Sequence, residues 1–78
     1  MSALERVQRV LASVLRVPIA AVVPAAHVSE LVDIDSLTLA EVASALDDEF
    51  HTRLASDDLS AVQTVADLVR LVEKARPR

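Results

Sequence analysis

The chain has no cysteine, glycine, tryptophan or tyrosine, and a single phenylalanine in 78 residues. Without cysteine there is no disulfide scaffold, no thiolate zinc centre and no thiol nucleophile. Nucleic acid calls for a basic footprint or stacking rings. A net charge of −4 with one aromatic offers neither, so no nucleic-acid partner is expected. Long apolar runs are also missing. The longest, residues 19–23, lies between Pro18 and Pro24 and is far too short to span a bilayer. The start, Met1-Ser2-Ala3-Leu4-Glu5-Arg6, has no apolar core of a secretory signal. The expectation is one monomeric, cytoplasmic domain over residues 1–78. A chain this short holds no deep catalytic cleft together with the core to support one. With 53% apolar residues, its stability must come from packing of Leu, Val and Ala.

What is present is helical periodicity. Leu4, Val7, Leu11 and Val14 recur at helical spacing, widened by Val10 and Leu15. Ser2 with Glu5 reads as a capping-box start, and Pro18 forces a stop. Residues 18–35 carry no period and read as a long loop, a length that often signals function. A second helix is predicted over 36–50, with Asp35 as N-cap and a buried stripe of Leu39, Val42, Ala43, Leu46 and Phe50. Ser56-Asp57-Asp58 is expected to cap one short turn over 59–62. A last helix is predicted after Thr64, with Asp67 at the capping-box position and a stripe of Val65, Leu68, Val69 and Val72. Arg70, Lys74 and Arg76 crowd its end, where the macrodipole favours positive charge, and Pro77 closes it. No period-2 pattern competes. The expected fold is all-α: a small four-helix bundle of three main helices and one short third helix, with a long first loop.

Charge is distributed unevenly. Residues 1–16 and 65–78 each sum to +2, whereas residues 28–50 hold seven acids and no lysine or arginine. Asp47, Asp48 and Glu49 occupy the last turn of the second helix, where negative charge opposes the macrodipole at about 0.3–1 kcal/mol each when exposed. Leu37 lies off the buried stripe, about 200° from Leu39 at 100° per residue, beside Glu41, Ser44 and Asp48. An apolar side chain on an acidic face is a plausible anchor for a basic partner. A solvated face with one exposed leucine is the plainer reading.

Ser36 opens this helix beside Asp35, next to the long loop. Asp and Ser are ordinary at helix starts, so the triplet Asp35-Ser36-Leu37 by itself carries little. The wider stretch says more. Leu31-Val32-Asp33-Ile34-Asp35-Ser36-Leu37-Thr38-Leu39-Ala40-Glu41-Val42, then Ala45-Leu46-Asp47-Asp48-Glu49-Phe50, resembles the acyl carrier protein family. Asp57-Asp58-Leu59 and Val62-Gln63-Thr64-Val65-Ala66-Asp67-Leu68 look like that family's short third helix and the entry to its fourth.

The resemblance implies a four-helix bundle bearing 4′-phosphopantetheine on Ser36, with Asp35 beside the attachment point. It implies a phosphopantetheinyl transferase that takes the arm from coenzyme A with magnesium. It further implies ketosynthase- and acyltransferase-type partners that meet acyl thioesters on the arm, and recognition through Leu37, Glu41, Asp47 and Asp48. An acyl-chain lining of Ala43, Leu46 and Val62 follows from the resemblance alone. The chain departs from the family at three places. Ile34 stands where a glycine is common, Thr38 where an acid often follows the leucine, and Arg53 where fatty-acid carriers often have an acid. These departures tilt the reading from housekeeping fatty-acid synthesis toward a discrete carrier of a specialised pathway, such as polyketide assembly.

Three alternatives stay open. A peptidyl or aminoacyl carrier has the same arm, and the acidic second helix argues weakly against it. An unmodified helical interaction module has the same fold. A small enzyme pairing Ser36 with His27 or His51 has nothing in the sequence to fix such a dyad. Two isolated histidines without cysteine are also poor metal ligands, and no metal site is expected.

Overall fold

The computed structural model describes residues 2–32, 37–75 and 77, with backbone only at Ser56. Three helices carry the bundle: α1 (Ala3–Leu15), α3 (Leu37–Phe50) and α5 (Val65–Lys74). Two short ones, α2 (Val28–Leu31) and α4 (Ser56–Ser60), sit in the connections, with a 3₁₀ turn over Ile19–Ala21. No strand occurs among the described residues; the chain touches itself in two isolated antiparallel bridges, His27 with Thr64 and Thr52 with Pro77. The small helical bundle expected from the sequence is the fold found.

The stripes read from the sequence face one core. Val7 and Leu11 of α1, Val42 and Leu46 of α3, and Val65, Leu68 and Val72 of α5 are buried, and Leu39, Ala43, Phe50 and Val69 pack against them. Leu59 and Val62, in and just after α4, complete the core.

The first connection is not the bare loop expected. It contains the 3₁₀ turn and α2, and it places Val22, Val28 and Val32 in the core. Periodicity has nothing to register in elements of three and four residues. The segment is held by backbone hydrogen bonds to the start of α5. The Val65 N–H donates to the Ala26 carbonyl at 3.0 Å and the Ala66 N–H to that of Pro24 at 3.0 Å. The Val28 N–H donates to the Gln63 carbonyl at 2.9 Å. The Gln8 side-chain amide of α1 donates to the Val22 carbonyl at 2.8 Å. These bonds use three of the N–H groups that helix starts leave without intrahelical acceptors, Val28 of α2 and Val65 and Ala66 of α5.

Helix ends differ from expectation in four details. At α1, the Glu5 N–H donates to Ser2 Oγ, but the Ser2 hydroxyl donates to the Glu5 carboxylate, so the box is closed by side chains. At α4, Ala55 is the N-cap, with no side-chain bond, and Ser56 to Asp58 form the first turn instead of capping it. The helix begins and ends earlier than the 59–62 turn anticipated. The α5 capping box is complete, with Thr64 and Asp67 bonded reciprocally. That helix stops at Lys74 with Ala75 extended, two residues before Pro77.

A chain without glycine must turn its helix ends with other residues. Arg16 (φ 57°) and His51 (φ 54°) take the left-handed conformation just past α1 and α3. In both, the next N–H reaches back five residues: Val17 to the Ala12 carbonyl at 3.2 Å, and Thr52 to the Asp47 carbonyl at 3.1 Å. These are Schellman ends, a place where glycine is normally preferred. So α1 ends by a left-handed turn, with Pro18 following two residues later.

Two outcomes test these points. Arg16→Gly relieves the left-handed strain of a β-carbon, partly offset by a more flexible unfolded chain. The net expectation is about 0.5–1 kcal/mol of added stability in urea unfolding. The second concerns Asp67, whose carboxylate accepts the Thr64 N–H and pairs with Arg70. The Thr64 bond first, with Arg70 assisting, holds its pKa below the ordinary 3.8. A folded pKa below the unfolded one stabilises above the unfolded value, and this is lost as pH falls through the folded value. The loss in Tm on Asp67→Asn is therefore expected at neutral pH and should shrink well below pH 3.8. An equal loss at both pH values would refute this account.

Candidate functional site

Helix α3 carries the residues that the sequence singles out. Its buried side is Val42 and Leu46. On the opposite side, Leu37, Glu41, Ser44 and Asp48 follow one another at helical spacing, and all are exposed. Leu37 is 84% exposed, the largest value among the described large hydrophobic residues. An apolar side chain on an acidic, solvent-facing stripe is thus what the structure displays here. Ser36 and Asp35 lie outside the described residues, as do Asp33 and Ile34. Ser36 is nonetheless covalently adjacent to Leu37, so the chain leads directly from it into a solvent-facing helix start.

The first turn of α3, Leu37-Thr38-Leu39-Ala40, contains no acidic residue. Its N–H groups have no acceptors inside the helix, and the macrodipole there is positive. A phosphodiester fits such an end. The start of α5 is a contrast. There Asp67 already supplies a negative charge, and the loop carbonyls and Thr64 take up the N–H groups.

The far end of α3 corrects the sequence-based argument about charge. Asp47, Asp48 and Glu49 sit where negative charge opposes the macrodipole, at a cost when that end is exposed. Arg6 of α1 reaches across to this end. Its Nε donates to Glu49 Oε2 at 2.8 Å and a terminal nitrogen donates to the Glu49 carbonyl. Its guanidinium also lies 4.3 Å from the centre of the Phe50 ring. A cation supplied by a neighbouring helix compensates the acidic end, and cation–π contact adds about 0.5–1 kcal/mol at an exposed site. The signal was in the sequence: an acidic helix end without its own base calls for a cation from elsewhere.

Asp47 differs from the other three recognition candidates. It is half-buried, and its Oδ1 accepts from the Thr52 hydroxyl at 3.1 Å and the Leu54 N–H at 2.9 Å. Thr52 is buried, so this carboxylate satisfies a polar group inside the α3–α4 turn. Asp47 thus has a structural task, whereas Leu37 and Glu41 project outward.

Leu46 and Val62 are buried, and Ala43 is half-buried against them. All three belong to the one hydrophobic core. A shallow groove of about 270 Å³ lies elsewhere, between α1 and α3, lined by Arg9, Val10, Ser13, Val14, Ala45 and Glu49. Sequence reasoning also passed over Ile19 and Val23, which stand 51% and 45% exposed on the first connection. The uncharged run around them was the available signal.

The family model for the phosphopantetheine attachment site matches residues 5–72, which takes in α1 through most of α5. A chain of this length, matched over nearly all of its bundle, belongs to the phosphopantetheine attachment site family, carrier proteins whose prosthetic group is covalently attached 4′-phosphopantetheine.

Proposed function

We propose that Ser36 is the attachment residue and that the chain is an acyl carrier protein of polyketide or fatty-acid biosynthesis. The observation that carries the reading is the surface immediately after Ser36: an acid-free helix start, a leucine 84% exposed, and an exposed acidic stripe running along α3. The helix start suits a bound phosphodiester, with the N–H groups of the first turn oriented toward negative charge. When bound, the arm supplies the terminal thiol on which acyl groups are carried, which a cysteine-free chain lacks.

Ser36 itself needs no catalytic partner in this chain. A phosphopantetheinyl transferase brings coenzyme A and the base. The serine oxygen forms the new phosphoester bond and the pyrophosphate link of coenzyme A breaks. The adenosine bisphosphate leaves, and the hydroxyl proton goes to the transferase. Asp35 flanks this position in sequence. Catalysis on the cargo resides in ketosynthase- and acyltransferase-type partners, which fits a bundle of 78 residues whose interior is filled by its own side chains.

Leu37, Glu41 and Asp48 form the recognition face, with Leu37 as apolar anchor and the acids steering basic partners. Asp47 contributes charge while holding the α3–α4 turn. Ala43, Leu46 and Val62 are the residues beside which an acyl chain would insert, by displacement within the core they share. The protein acts as a cytoplasmic monomer. No helix among the described residues is long and apolar enough to cross a membrane.

Intact-protein mass after incubation with coenzyme A and a broad-specificity transferase tests the reading. The wild type gains one phosphopantetheine and Ser36→Ala gains none. Modification that survives Ser36→Ala moves the site, and no modification of the wild type removes the carrier function. Glu41→Lys should raise the transferase KM about two- to five-fold at low salt, with helicity by circular dichroism unchanged. An unchanged KM would take Glu41 out of the recognition face.

A further inference from the structure

The Arg6–Glu49 pair joins α1 to the end of α3 at the surface, with the two side chains 36% and 41% exposed. Arg6 is anchored at three points. Its Nε donates to the Glu49 carboxylate, a terminal nitrogen donates to the Glu49 carbonyl, and the guanidinium lies over the Phe50 ring. An arginine fixed in this way also fixes the carboxylate it binds. Glu49 is nonetheless an exposed residue, open to approach from solvent.

Its place on α3 matters. At 100° per residue, Glu49 lies about 80° round the helix from Glu41 and about 100° from Asp48. It therefore stands at the side of the acidic stripe that faces α1. The groove between the two helices agrees, because Glu49 and Ala45 line it together with Arg9, Val10, Ser13 and Val14 of α1. A docked protein covers about 800 Å² of its partner, which reaches well past a stripe one residue wide. A partner seated on Leu37, Glu41 and Asp48 thus meets Glu49 already neutralised. A second cation stands beside it. Arg9 is exposed, lines the same groove and makes no ion pair with a described residue.

We propose that Arg6 sets the affinity of the recognition face by withholding Glu49 from basic partners. This rests on the reading of α3 as that face, and it applies to every partner that docks there. A partner's lysine or arginine gains the Glu49 carboxylate only by displacing a bond that the chain already makes. The net gain is then the difference between two surface ion pairs, each weak in itself. Loss of Arg6 removes the competitor, and Glu49 widens the acidic stripe toward α1. Among related complexes affinity is set mostly by the rate of leaving, so a withheld carboxylate favours release. A carrier that passes between enzymes requires release as much as capture.

Steady-state modification by a broad-specificity transferase with coenzyme A, at low and high salt, is the test. Arg6→Met keeps an unbranched side chain beside Phe50 and removes the charge. It should lower KM about two- to five-fold at low salt, and the gain should fade at high salt. Arg9→Gln removes an equal charge beside the same groove but no bond to Glu49, and should change KM by less than about 1.5-fold. In a chain carrying Glu49→Gln, the effect of Arg6→Met should shrink to that of Arg9→Gln. That dependence on Glu49 is a coupling which neither lost stability nor altered net charge produces. Circular dichroism checks each fold. If Arg6→Met melts below the assay temperature, Arg6→Gln, whose amide can still donate to the Glu49 carbonyl, takes its place with the same expectation. An unchanged or raised KM in the folded Arg6 variant overturns the proposal and leaves the carrier reading intact. So does an equal gain from Arg9→Gln, or a gain that survives Glu49→Gln. A wild type that accepts no arm overturns both the carrier reading and the proposal.

Discussion

The first connection, pinned to the start of α5, is the constraint on which the rest of this small bundle depends. Three helices leave an open side, and residues 18–32 close it by delivering Val22, Val28 and Val32 to the core. The closure is held by reciprocal need. The N–H groups of Val65 and Ala66 lack acceptors within their own helix, and the carbonyls of Ala26 and Pro24 lack donors within a loop. Each satisfies the other.

A second constraint acts at the opposite end. Helix α3 gathers acids at its C-terminus, where they oppose its own dipole. Arg6 compensates by binding the Glu49 carboxylate, the Glu49 carbonyl and the Phe50 ring together. Asp47 meanwhile serves the turn that follows, through Thr52 and Leu54. Acidity along α3 is therefore of two kinds. Glu41 stands on the solvent-facing stripe, whereas Asp47 and Glu49 are engaged by the fold. A uniform run of charge in the sequence becomes a divided one in three dimensions, and the solvent-facing acidic stripe is narrower than a count of acids suggests.

Much of the architecture was legible beforehand. Helices of ten or more residues declare themselves, because their apolar positions repeat often enough to define a face. In the stripes of α1, α3 and α5, Val7, Leu11, Val42, Leu46, Val65, Leu68 and Val72 are buried, and the other members are half-buried against them. Thr64 with Asp67 marked a helix start because the capping box is a local interaction between residues three apart. The family resemblance was legible for a different reason. Its signal is a particular order of residues around Ser36, and it does not depend on periodicity.

What the sequence by itself determined is helix content, the apolar face of each long helix, the family, and the absence of any thiol of the chain's own. These are local or compositional properties, set by neighbours within one or two turns. Only the tertiary structure decided which carbonyls pair with the start of α5, that Arg6 neutralises the end of α3, and that Asp47 is half-buried. It also decided that the apolar run 17–26 buries one valine and exposes seven residues. Each of these depends on contact between residues far apart in the chain, where hydrogen-bond satisfaction and core volume, not local propensity, choose the partner.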